Sequence, residues 1–217
     1  MIHYLTDYVP KVLVACEQSQ VVCKAFREKG FCAYSNDLNP CYGGCPERHI
    51  IGDARRVIQG EGRFLLETGD NLQVFGQWDL IIAHPPCTML THSSAVALAQ
   101  GKHTLEDVKE GAAFFLQMLN APAKMVCVEN PAPMKIAQLP PYSQIVNPFN
   151  FGHPYSKRAC LWLRNLPPLL PTRGYYTEHR QWIKHCAGNS RRRAKTFEGI
   201  AEAMAIQWGA LLKSSPG

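Results

Sequence analysis

Apolar and polar residues along the chain form short blocks that predict strands and helices in alternation. Short apolar runs predict five strands, in KVLVAC (11–16), FCAYSNDL (31–38), HIIGDAR (49–55), WDLIIAH (78–84) and KMVCVENP (124–131). Apolar residues at helical spacing predict helices at residues 19–30, 104–120 and 197–212, with a weaker helix or loop pattern at 56–68. This alternation is typical of an α/β fold in which helices cover both faces of a mostly parallel sheet.

The last third of the chain has a different pattern. KRACLWLRNLPPLLPT (157–172) begins like a strand and ends in a proline-rich tail, and residues 173–195 are polar, basic and predicted to form a loop. A chain of 217 residues is long enough for one well-packed domain and short for two. We therefore expect a single domain over residues 1–217 with a short basic insert at about 173–195.

Composition and charge narrow the class of protein. Hydrophobic residues make up 46% of the chain and charged residues 18%, an ordinary balance for a globular protein. The formal net charge of +6 permits contact with a polyanion such as nucleic acid. Nine scattered cysteines and a first segment without signal-peptide features indicate a reduced, cytoplasmic protein. No apolar stretch approaches the ~18 residues of a membrane helix.

Polar residues follow the predicted strands where a parallel sheet binds its ligands, beyond the carboxyl ends of the strands. Asp37 lies about 20 residues past the first turn, the spacing at which α/β nucleotide folds place an acid on ribose hydroxyls. Asp53 follows the next strand and would reach an adenine amino group. Either aspartate alone is as well explained as a surface or turn residue, whereas two in register with strand ends favour an adenosyl ligand.

The first turn, ACEQSQ, contains no glycine. Phosphate-binding turns need glycine for close backbone approach, so a dinucleotide or P-loop ligand is disfavoured here. S-adenosylmethionine has no phosphate and fits better. Glu17, Gln18 and Ser19 would then bind this cofactor through their side chains, and His84 and Pro85 complete the candidate cofactor group.

The loop HPPCT presents one cysteine, Cys87, just after a predicted strand. Two prolines stiffen the loop, and Glu129 leaves another strand end. A thiolate that adds to C6 of cytosine makes C5 nucleophilic toward a methyl donor, and a carboxyl group at N3 balances the charge that develops. The alternative is that Cys87 is a small buried residue, as most free cysteines are, and that Glu129 caps a turn.

An ordered set of motifs gives the chain a family resemblance. AHPPCT followed by VENP resembles the Pro-Cys and Glu-Asn-Val motifs of DNA cytosine-C5 methyltransferases, which share the Rossmann-like fold of S-adenosylmethionine-dependent methyltransferases. With VACEQSQ, DLNP, GD, FGHPYSKRACLWLRNLPPLLPT and KTFEGIAEAMAIQW, the set spans roughly residues 11–209 and is similar to short phage and prophage proteins labelled cytosine methyltransferases. The resemblance implies methyl transfer from S-adenosylmethionine to C5 of cytosine in DNA, in the cytoplasm of a bacterium or a phage-infected host.

Carried over position by position, the resemblance assigns a role to each matching residue. It makes Cys87 the nucleophile, Glu129 the residue at N3 of the base, and Asn130 the support of its loop. It also assigns Arg158, in YSKRAC, to the group that holds the base and the catalytic loop. It agrees with the ribose and adenine roles of the two aspartates.

Departures from the family pattern leave other functions open. Side chains replace the glycine-rich first turn, Pro131 stands after Glu129 and Asn130 in place of Val, and PPCT is also related to the Pro-Pro-aromatic loop of amino-group methyltransferases. In that last interpretation the product would be N4-methylcytosine or N6-methyladenine, and Cys87 would form no covalent bond.

The chain is also too short for the target-recognition domain of full cytosine-C5 enzymes. The segment in its place interleaves basic residues with Tyr175, Tyr176 and Trp182, which suits phosphate contact and base stacking. Its basic residues are Arg173, Arg180, Lys184, Arg191, Arg192, Arg193 and Lys195. Sequence specificity would be slight or supplied by a partner protein. The alternatives are a free deoxycytidine nucleotide (dCMP-like) as substrate, a non-catalytic DNA-binding accessory protein, and a simple solvated loop for the segment.

A zinc site is conceivable in the loop after the second strand, because Cys41, Cys45 and His49 are spaced four apart and Cys32 is nearby. Glycines and a proline between them, and the lack of the usual C-x2-C spacing, argue against it. We expect no metal.

Overall fold

Strands and helices alternate along the chain in the computed structural model, which describes residues 2–5, 9–91, 95–173, 180–181, 184 and 189–214. The strands are β1 (Ile2–Leu5), β2 (Lys11–Ala15), β3 (Cys32–Asp37), β4 (His49–Ile51), β5 (Gly62–Leu65), β6 (Asn71–Val74), β7 (Leu80–Ala83), β8 (Met125–Asn130), β9 (Gln144–Val146), β10 (Tyr155–Ser156), β11 (Ala159–Arg164) and β12 (Arg180–Gln181). The α-helices are α1 (Val21–Glu28), α2 (Ala54–Val57), α3 (Ala95–Ala99), α4 (Leu105–Leu119), α5 (Ser190–Ala194) and α6 (Glu198–Ser214). Short 3₁₀ turns occupy Pro46–Arg48, Lys135–Ala137 and Pro148–Phe151.

Seven strands form the central sheet, in the order β4-β3-β2-β7-β8-β11-β9. The first five are parallel, and β11 runs antiparallel to both of its neighbours. The prediction of a mostly parallel α/β sheet is confirmed, and each of the five predicted strands is one of its parallel members. The chain builds outward from β2 to β4 and returns on the other side of β2 as β7. In sheets of this kind, ligands bind at such a reversal, which here lies at the carboxyl ends of β2 and β7.

Helices cover both faces of this sheet, and each face has its own hydrophobic core. Val12 and Val14 of β2 pack in the core that contains α1 and α6. Leu13 and Ala15 pack in the opposite core, with Phe115 of α4. Burial on both faces explains why β2 is a continuous apolar run. Among the described residues, no helix has both the length and the apolar character that crossing a membrane requires.

Local signals fix where the helices begin and end. Thr104 starts α4 with a capping box: its hydroxyl accepts from the Asp107 N–H at 3.1 Å, and the Asp107 carboxylate accepts from the Thr104 N–H at 2.7 Å. α1 ends just before Gly30, whose φ of +84° favours glycine. In the first turn of α6, a Cβ at Gly199 would lie 1.8 Å from the Phe151 carbonyl oxygen. Glycine is therefore needed where α6 meets the chain before it.

A second sheet of three strands, in the order β1-β6-β5, is not anticipated by the sequence pattern. Residues 56–68 predict a weak helix or loop, yet Gly62–Leu65 form β5 and the helix of this region is only Ala54–Val57. The expectation is therefore wrong for residues 62–65. The strand buries Phe64 while Leu65 is exposed, so its alternation is too brief to be recognised.

The basic segment is not a continuous loop. Residues 190–194 form α5, and β12 pairs with β10. The expectation of a loop over 173–195 is wrong for these residues. The aromatic residues Tyr175, Tyr176 and Trp182 lie outside the described residues.

Candidate functional site

The candidate site lies at the carboxyl edge of the central sheet, where the strand order reverses. The residues after β2, β3 and β4 lie on one side of the reversal, and those after β7 and β8 lie on the other. Since these five strands are parallel, their carboxyl ends share one edge. The edge brings together Glu17, Asp37, Asp53, His84, Cys87 and Glu129.

Glu17 closes the N-terminus of α1. Its carboxylate accepts hydrogen bonds from the amides of Val22 at 2.8 Å and Cys23 at 3.2 Å, and from the Ser19 hydroxyl at 3.2 Å. Burial raises the pKa of Glu17, while the interaction with His84 and these hydrogen bonds act in the opposite direction. The unpaired amides of a helix N-terminus attract anions, and here a carboxylate of the protein already satisfies two of them. A phosphate group at this helix end would be repelled by the Glu17 carboxylate.

Gln20, which the sequence analysis passes over, fixes the loop that follows β3. It is fully buried with a φ of +57°. Its side-chain amide donates to the Cys45 carbonyl at 2.8 Å and to the Ser35 hydroxyl at 3.1 Å, and its side-chain oxygen accepts from the Cys45 N–H at 2.9 Å. The backbone carbonyl of Gln18, which is half-buried, accepts from the Tyr42 N–H at 2.9 Å. The polar residue directly before α1 is the signal that could have identified this anchor.

Asp37 and Asp53 place two carboxylates around Cys16, the residue directly after β2. Burial, and then these two carboxylates, raise the pKa of the Cys16 thiol to about 12. Asp37 accepts hydrogen bonds from the backbone and side-chain amides of Asn39, at 3.0 and 3.1 Å. Asp53 caps α2 by accepting from the Arg55 N–H at 2.9 Å, and it pairs with the Arg55 guanidinium at 3.2 Å. The structure therefore brings the two predicted acids together and gives Asp53 a second role as a helix cap.

Cys87 is exposed on a loop that the neighbouring strand holds. Pro85 is buried, whereas Pro86 and Cys87 are exposed. The side-chain amide of Asn130, at the end of β8, donates to the Pro85 carbonyl oxygen at 2.8 Å. Asn130 thus ties the loop to the sheet, and the alternative in which Cys87 is a buried core residue is wrong.

Glu129 belongs to β8 and pairs with His84, at the end of β7. The two side chains are 18% and 13% exposed, and Nδ1 of His84 lies 3.0 Å from Oε2 of Glu129. Burial raises the pKa of Glu129, but the hydrogen bond and charge of His84, together with Lys157, outweigh it and bring the pKa below its ordinary value. Glu129 is therefore a carboxylate at neutral pH. The sequence places His84 beside the cofactor, and the structure pairs it with Glu129.

Charged groups of both signs act on the Cys87 thiol. Desolvation by the surrounding loop, and then the Glu129 carboxylate, raise its pKa, whereas Lys157 and Arg193 act to lower it. The net effect is a raised pKa, so the free protein keeps Cys87 as a thiol at neutral pH. If Glu129 took up a proton, its charge would vanish and the thiolate would be favoured.

The cation beside this pair is Lys157, one residue before the arginine that the resemblance selects. Lys157 lowers the pKa of both Glu129 and Cys87. Its Nζ also donates to the Arg193 carbonyl oxygen at 2.8 Å. Arg158 is exposed and acts to lower the pKa of Cys160. Cys160 packs in the core that contains α4, not in the core of α1 and α6. Neighbouring residues of an extended chain point to opposite sides, which explains the difference.

The helix α5 carries the basic segment across the site. Arg191, Arg192 and Arg193 are exposed. The Arg191 guanidinium lies 5.8 Å from the centre of the Tyr42 ring, and Arg193 acts on Cys87. The helix therefore extends from the loop beside Glu17 and Asp37 to the loop that carries the thiol.

The remaining basic residues lie elsewhere or are not fully described. Arg173 is exposed and lies against Gly152, Lys184 is exposed, and Arg180 takes part in the pairing of β12 with β10. The side chain of Arg180 lies outside the described residues. No described contact links these three residues to Cys87 or Glu129.

Three buried side-chain atoms at this edge have no hydrogen-bond partner in the described part of the chain: Asn36 Oδ1, His84 Nε2 and Asn130 Oδ1. Asn36 uses its side-chain amide to donate to the carbonyls of Ile50 at 3.1 Å and Gly52 at 2.9 Å. Buried polar atoms without a partner are costly, so a ligand or a water molecule at this edge would stabilise them.

Two hollows lie beside α1, and only the smaller one adjoins the site edge. One of about 470 Å³ is lined by Ser19, Tyr42, Gly43 and Lys195, among others. A larger one, of about 660 Å³, lies along α1 between Arg27 and Arg48 and contains none of the predicted site residues. The size of a hollow therefore does not identify the site in this protein.

The loop between β3 and β4, which carries Cys41 and Cys45, forms no metal centre with the described residues. Both ring nitrogens of buried His49 are engaged: Nδ1 lies 2.8 Å from the Ser35 hydroxyl, and Nε2 lies 2.9 Å from the Asn39 carbonyl oxygen. Cys41 instead bonds through its backbone N–H to the Glu67 carboxylate at 2.8 Å. His49 therefore anchors β4 to β3 and the loop between them.

Comparison with known proteins adds no family assignment. No protein-family model matches the chain. No curated protein matches it significantly.

Proposed function

We propose that this protein transfers a methyl group from S-adenosylmethionine to C5 of cytosine in DNA, through a covalent adduct with Cys87. One observation carries the proposal: the loop with the exposed Cys87 follows β7, and the adjacent parallel strand β8 ends in Glu129 and in Asn130, which holds that loop through a 2.8 Å hydrogen bond to the Pro85 carbonyl oxygen. A nucleophile with a proton carrier beside it is what conjugate addition to a pyrimidine needs.

The fold supports the proposal. Numbered along the chain, the parallel strands of the central sheet follow the order 3-2-1-4-5, which is the order of the corresponding strands in Rossmann-like folds. Those folds bind their ligands at the reversal between strands 1 and 4, where Cys87 and Glu17 lie. We assign the sheet to the S-adenosylmethionine-dependent methyltransferases on this ground and on the motif resemblance.

The acidic side of the edge suits S-adenosylmethionine. Asp37 would accept hydrogen bonds from the ribose hydroxyls and Asp53 from the adenine amino group. Glu17 occupies the place where a phosphate would bind, and this cofactor has no phosphate. Burial, and then Asp37 and Asp53, raise the pKa of Cys16 to about 12. The same two carboxylates would also favour a positively charged sulfonium. The unpartnered atoms of Asn36 and His84 are available to it.

Cys87 and Glu129 divide the addition between them. The thiol gives its proton to the Glu129 carboxylate, and the sulfur forms a bond to C6 of cytosine. The C5=C6 electron pair moves into the C4–C5 bond, and the C4=N3 pair moves to N3, which takes the proton from Glu129. C5 thereby becomes nucleophilic, and Glu129 returns to the carboxylate. When bound, S-adenosylmethionine supplies an electrophilic methyl group to C5.

The same two residues release the product. Glu129 takes back the N3 proton, and a water molecule removes the hydrogen at C5 as a proton. The C5–H electron pair re-forms the C5=C6 bond as the C6–S bond breaks. Cys87 leaves as a thiolate and recovers its proton from Glu129, so that one proton per turnover passes to solvent.

The arginines of α5 favour DNA as the carrier of the cytosine. Arg193 acts on the thiol, and the exposed Arg191 and Arg192 of the same helix would contact phosphates farther from the reacting base. A base in duplex DNA has to leave the stack, at a cost of about a few kcal/mol, whereas single-stranded DNA avoids most of that cost. We therefore expect single-stranded DNA to react faster than duplex.

The test is transfer of a labelled methyl group to duplex DNA, single-stranded DNA or dCMP, followed by nucleoside mass spectrometry. Cys87→Ala removes the nucleophile, and Cys32→Ala is the matched control, a half-buried cysteine at the opposite end of the parallel strands. We expect 5-methylcytosine from DNA with the unmodified protein and with Cys32→Ala, and none with Cys87→Ala.

Other products would overturn the proposal in different ways. Label in dCMP alone would replace DNA by a free nucleotide as substrate. N4-methylcytosine or N6-methyladenine, retained in Cys87→Ala, would contradict the covalent mechanism. No label in any reaction would favour an accessory DNA-binding protein. An oligonucleotide with 5-fluorocytosine gives a direct check, because fluorine cannot leave as a proton does and the Cys87 adduct would persist.

A further inference from the structure

We propose that His84 is a positioning residue for Glu129, which fixes the orientation of its carboxylate and keeps it charged so that it can receive the Cys87 proton. The inference rests on the proposed function and deepens it. It gives His84 a role toward Glu129, whereas the sequence places His84 in the candidate cofactor group.

The register of the sheet places the two side chains together. Ala83 of β7 is paired with Val128 of β8, so the next residues, His84 and Glu129, are also neighbours. Two residues earlier, Ile82 and Cys127 both lie in the core of α1 and α6, so His84 and Glu129 project from the same face of the sheet.

The hydrogen bond between them orients the carboxylate. Nδ1 of His84 lies 3.0 Å from Oε2 of Glu129, which leaves Oε1 as the oxygen that can exchange a proton with the thiol and the base. The backbone that carries the ring is held at the sheet edge, because the N–H of His84 donates to the Ala15 carbonyl oxygen at 3.0 Å. Both side chains are largely buried, so this geometry is little exposed to competition from water.

The charges around the pair come from several elements. Lys157, before β11, lowers the pKa of Glu129, and Glu129 in turn raises the pKa of Cys87, on the loop after β7. Cys127 and Cys160 are neutral thiols within range of Glu129, and Glu17, after β2, faces His84. Of these neighbours, His84 and Lys157 lower the pKa of Glu129, and His84 also contacts it through a hydrogen bond.

Loss of His84 would leave a buried carboxylate without its hydrogen-bond donor. Burial alone raises the pKa of Glu129, so the residue would hold a proton over a wider pH range. A protonated Glu129 cannot accept the Cys87 proton. Turnover would then fall at neutral pH and recover as the pH rises through the new pKa.

Two substitutions separate this role from a structural one. His84→Phe keeps the ring volume and removes the donor. His84→Asn keeps an N–H donor at the position of Nδ1 and removes the atom corresponding to Nε2, so it should restore most of the function. A defect in folding alone would lower the rate by the same factor at every pH.

The first measurement does not require catalysis: the ¹³C resonance of the Glu129 side-chain carboxyl is followed through a pH titration, with Glu129→Gln for assignment. We expect Glu129 to titrate below the ordinary carboxyl range in the unmodified protein and in His84→Asn, and above that range in His84→Phe. Equal titration in the unmodified protein and His84→Phe would overturn the proposal.

The second measurement is the pH profile of kcat/KM for methyl transfer. We expect His84→Phe to lose about 10²-fold at neutral pH, with its acidic limb displaced to higher pH, and His84→Asn to remain near the unmodified protein. A pH-independent loss in His84→Phe would contradict the proposal. If the titration shows the expected shift but the unmodified protein transfers no methyl group, the pair stands, and the proposed function and the catalytic role of His84 both fail.

Discussion

Two cysteines at one sheet edge, Cys16 and Cys87, lie in different electrostatic environments: the pKa of both thiols is raised, but at Cys87 nearby cations act against the rise. Cys16, after β2, lies among carboxylates: burial and then Asp37 and Asp53 raise its pKa to about 12. Cys87, after β7, has one carboxylate beside it, Glu129, and cations that act in the opposite direction. The two strands are adjacent in the sheet, so the difference arises from the side chains that follow each strand.

This difference teaches which charge each side can bind. The acidic side, after β2 with Asp37 and Asp53, would hold a cation such as the sulfonium of S-adenosylmethionine. The basic side, after β7 with Lys157 and Arg193, would hold the phosphates of a nucleic acid. Under the proposed mechanism, it also accounts for activation of the Cys87 thiol. A proton on Glu129 would remove the negative charge that raises the pKa of Cys87, and Lys157 and Arg193 would then favour the thiolate.

The largest loss of methyl transfer is expected from Glu129→Gln, which changes the side of the sheet edge that carries Cys87. The substitution keeps the shape of the side chain and removes the group that carries the proton between Cys87 and N3. We expect methyl transfer to fall by about 10²–10⁴-fold with unchanged cofactor affinity, measured by steady-state kinetics and calorimetry. The control is Glu106→Gln, an exposed glutamate of α4. Turnover within a few-fold of the unmodified protein in Glu129→Gln would remove Glu129 from the mechanism.

Asp37→Asn removes one negative charge from the acidic side and should lower its affinity for S-adenosylmethionine. Removing one charge-assisted acceptor should weaken S-adenosylmethionine binding by about 10-fold or more, because such hydrogen bonds contribute roughly 1.5–3 kcal/mol. The pKa of Cys16 should fall from its value of about 12, since Asp37 is one of the groups that raise it. Calorimetry measures the first effect, and pH-dependent alkylation read by peptide mass spectrometry measures the second. DNA affinity should not change, and a parallel loss of DNA affinity would contradict the separation of the two sides.

The parallel sheet could be predicted because its strands are apolar on both faces, as KVLVA and LIIA are. The ends of α1 and α4 followed from Gly30 and Thr104, whose local chemistry is independent of the rest of the fold. The small sheet could not be predicted, because Gly62–Leu65 has too few alternating residues and is stabilised by pairing with β6, which lies later in the chain.

The residues of the candidate site were predictable singly, but their partners were not. Motifs and strand ends pointed to Cys87 and Glu129. The pairing of His84 with Glu129 depends on the register of β7 and β8, and nothing in either strand's own sequence sets that register. Likewise, the choice of Lys157 over Arg158 depends on which side of the chain faces the sheet edge before β11.

Replacing Arg191, Arg192 and Arg193 together by Gln tests whether α5 contacts DNA. Each arginine that contacts a phosphate should contribute about 1 to the slope of log affinity against log salt concentration. We expect the slope to fall and the affinity at low salt to drop, measured by fluorescence anisotropy, with cofactor affinity preserved. A charge-matched control replaces Arg63, Lys102 and Lys109, which are exposed away from the site. Equal losses in both variants would mean that net charge, and not α5, attracts the DNA.

The smallest effect is expected from Lys157→Met, and it decides between two neighbouring cations. Lys157 lowers the pKa of Cys87, whereas Arg158 acts on Cys160 in the opposite core. Partly exposed charge pairs contribute about 0.2–1 kcal/mol, so alkylation of Cys87 near neutral pH should slow by about 1.4- to 5-fold in Lys157→Met. Lys157→Arg should restore the rate, and Arg158→Met should leave the Cys87 rate closer to that of the unmodified protein. If Arg158→Met slows alkylation more than Lys157→Met does, Arg158 and not Lys157 is the cation that stabilises the Cys87 thiolate, and the assignment of Lys157 to the basic side is wrong.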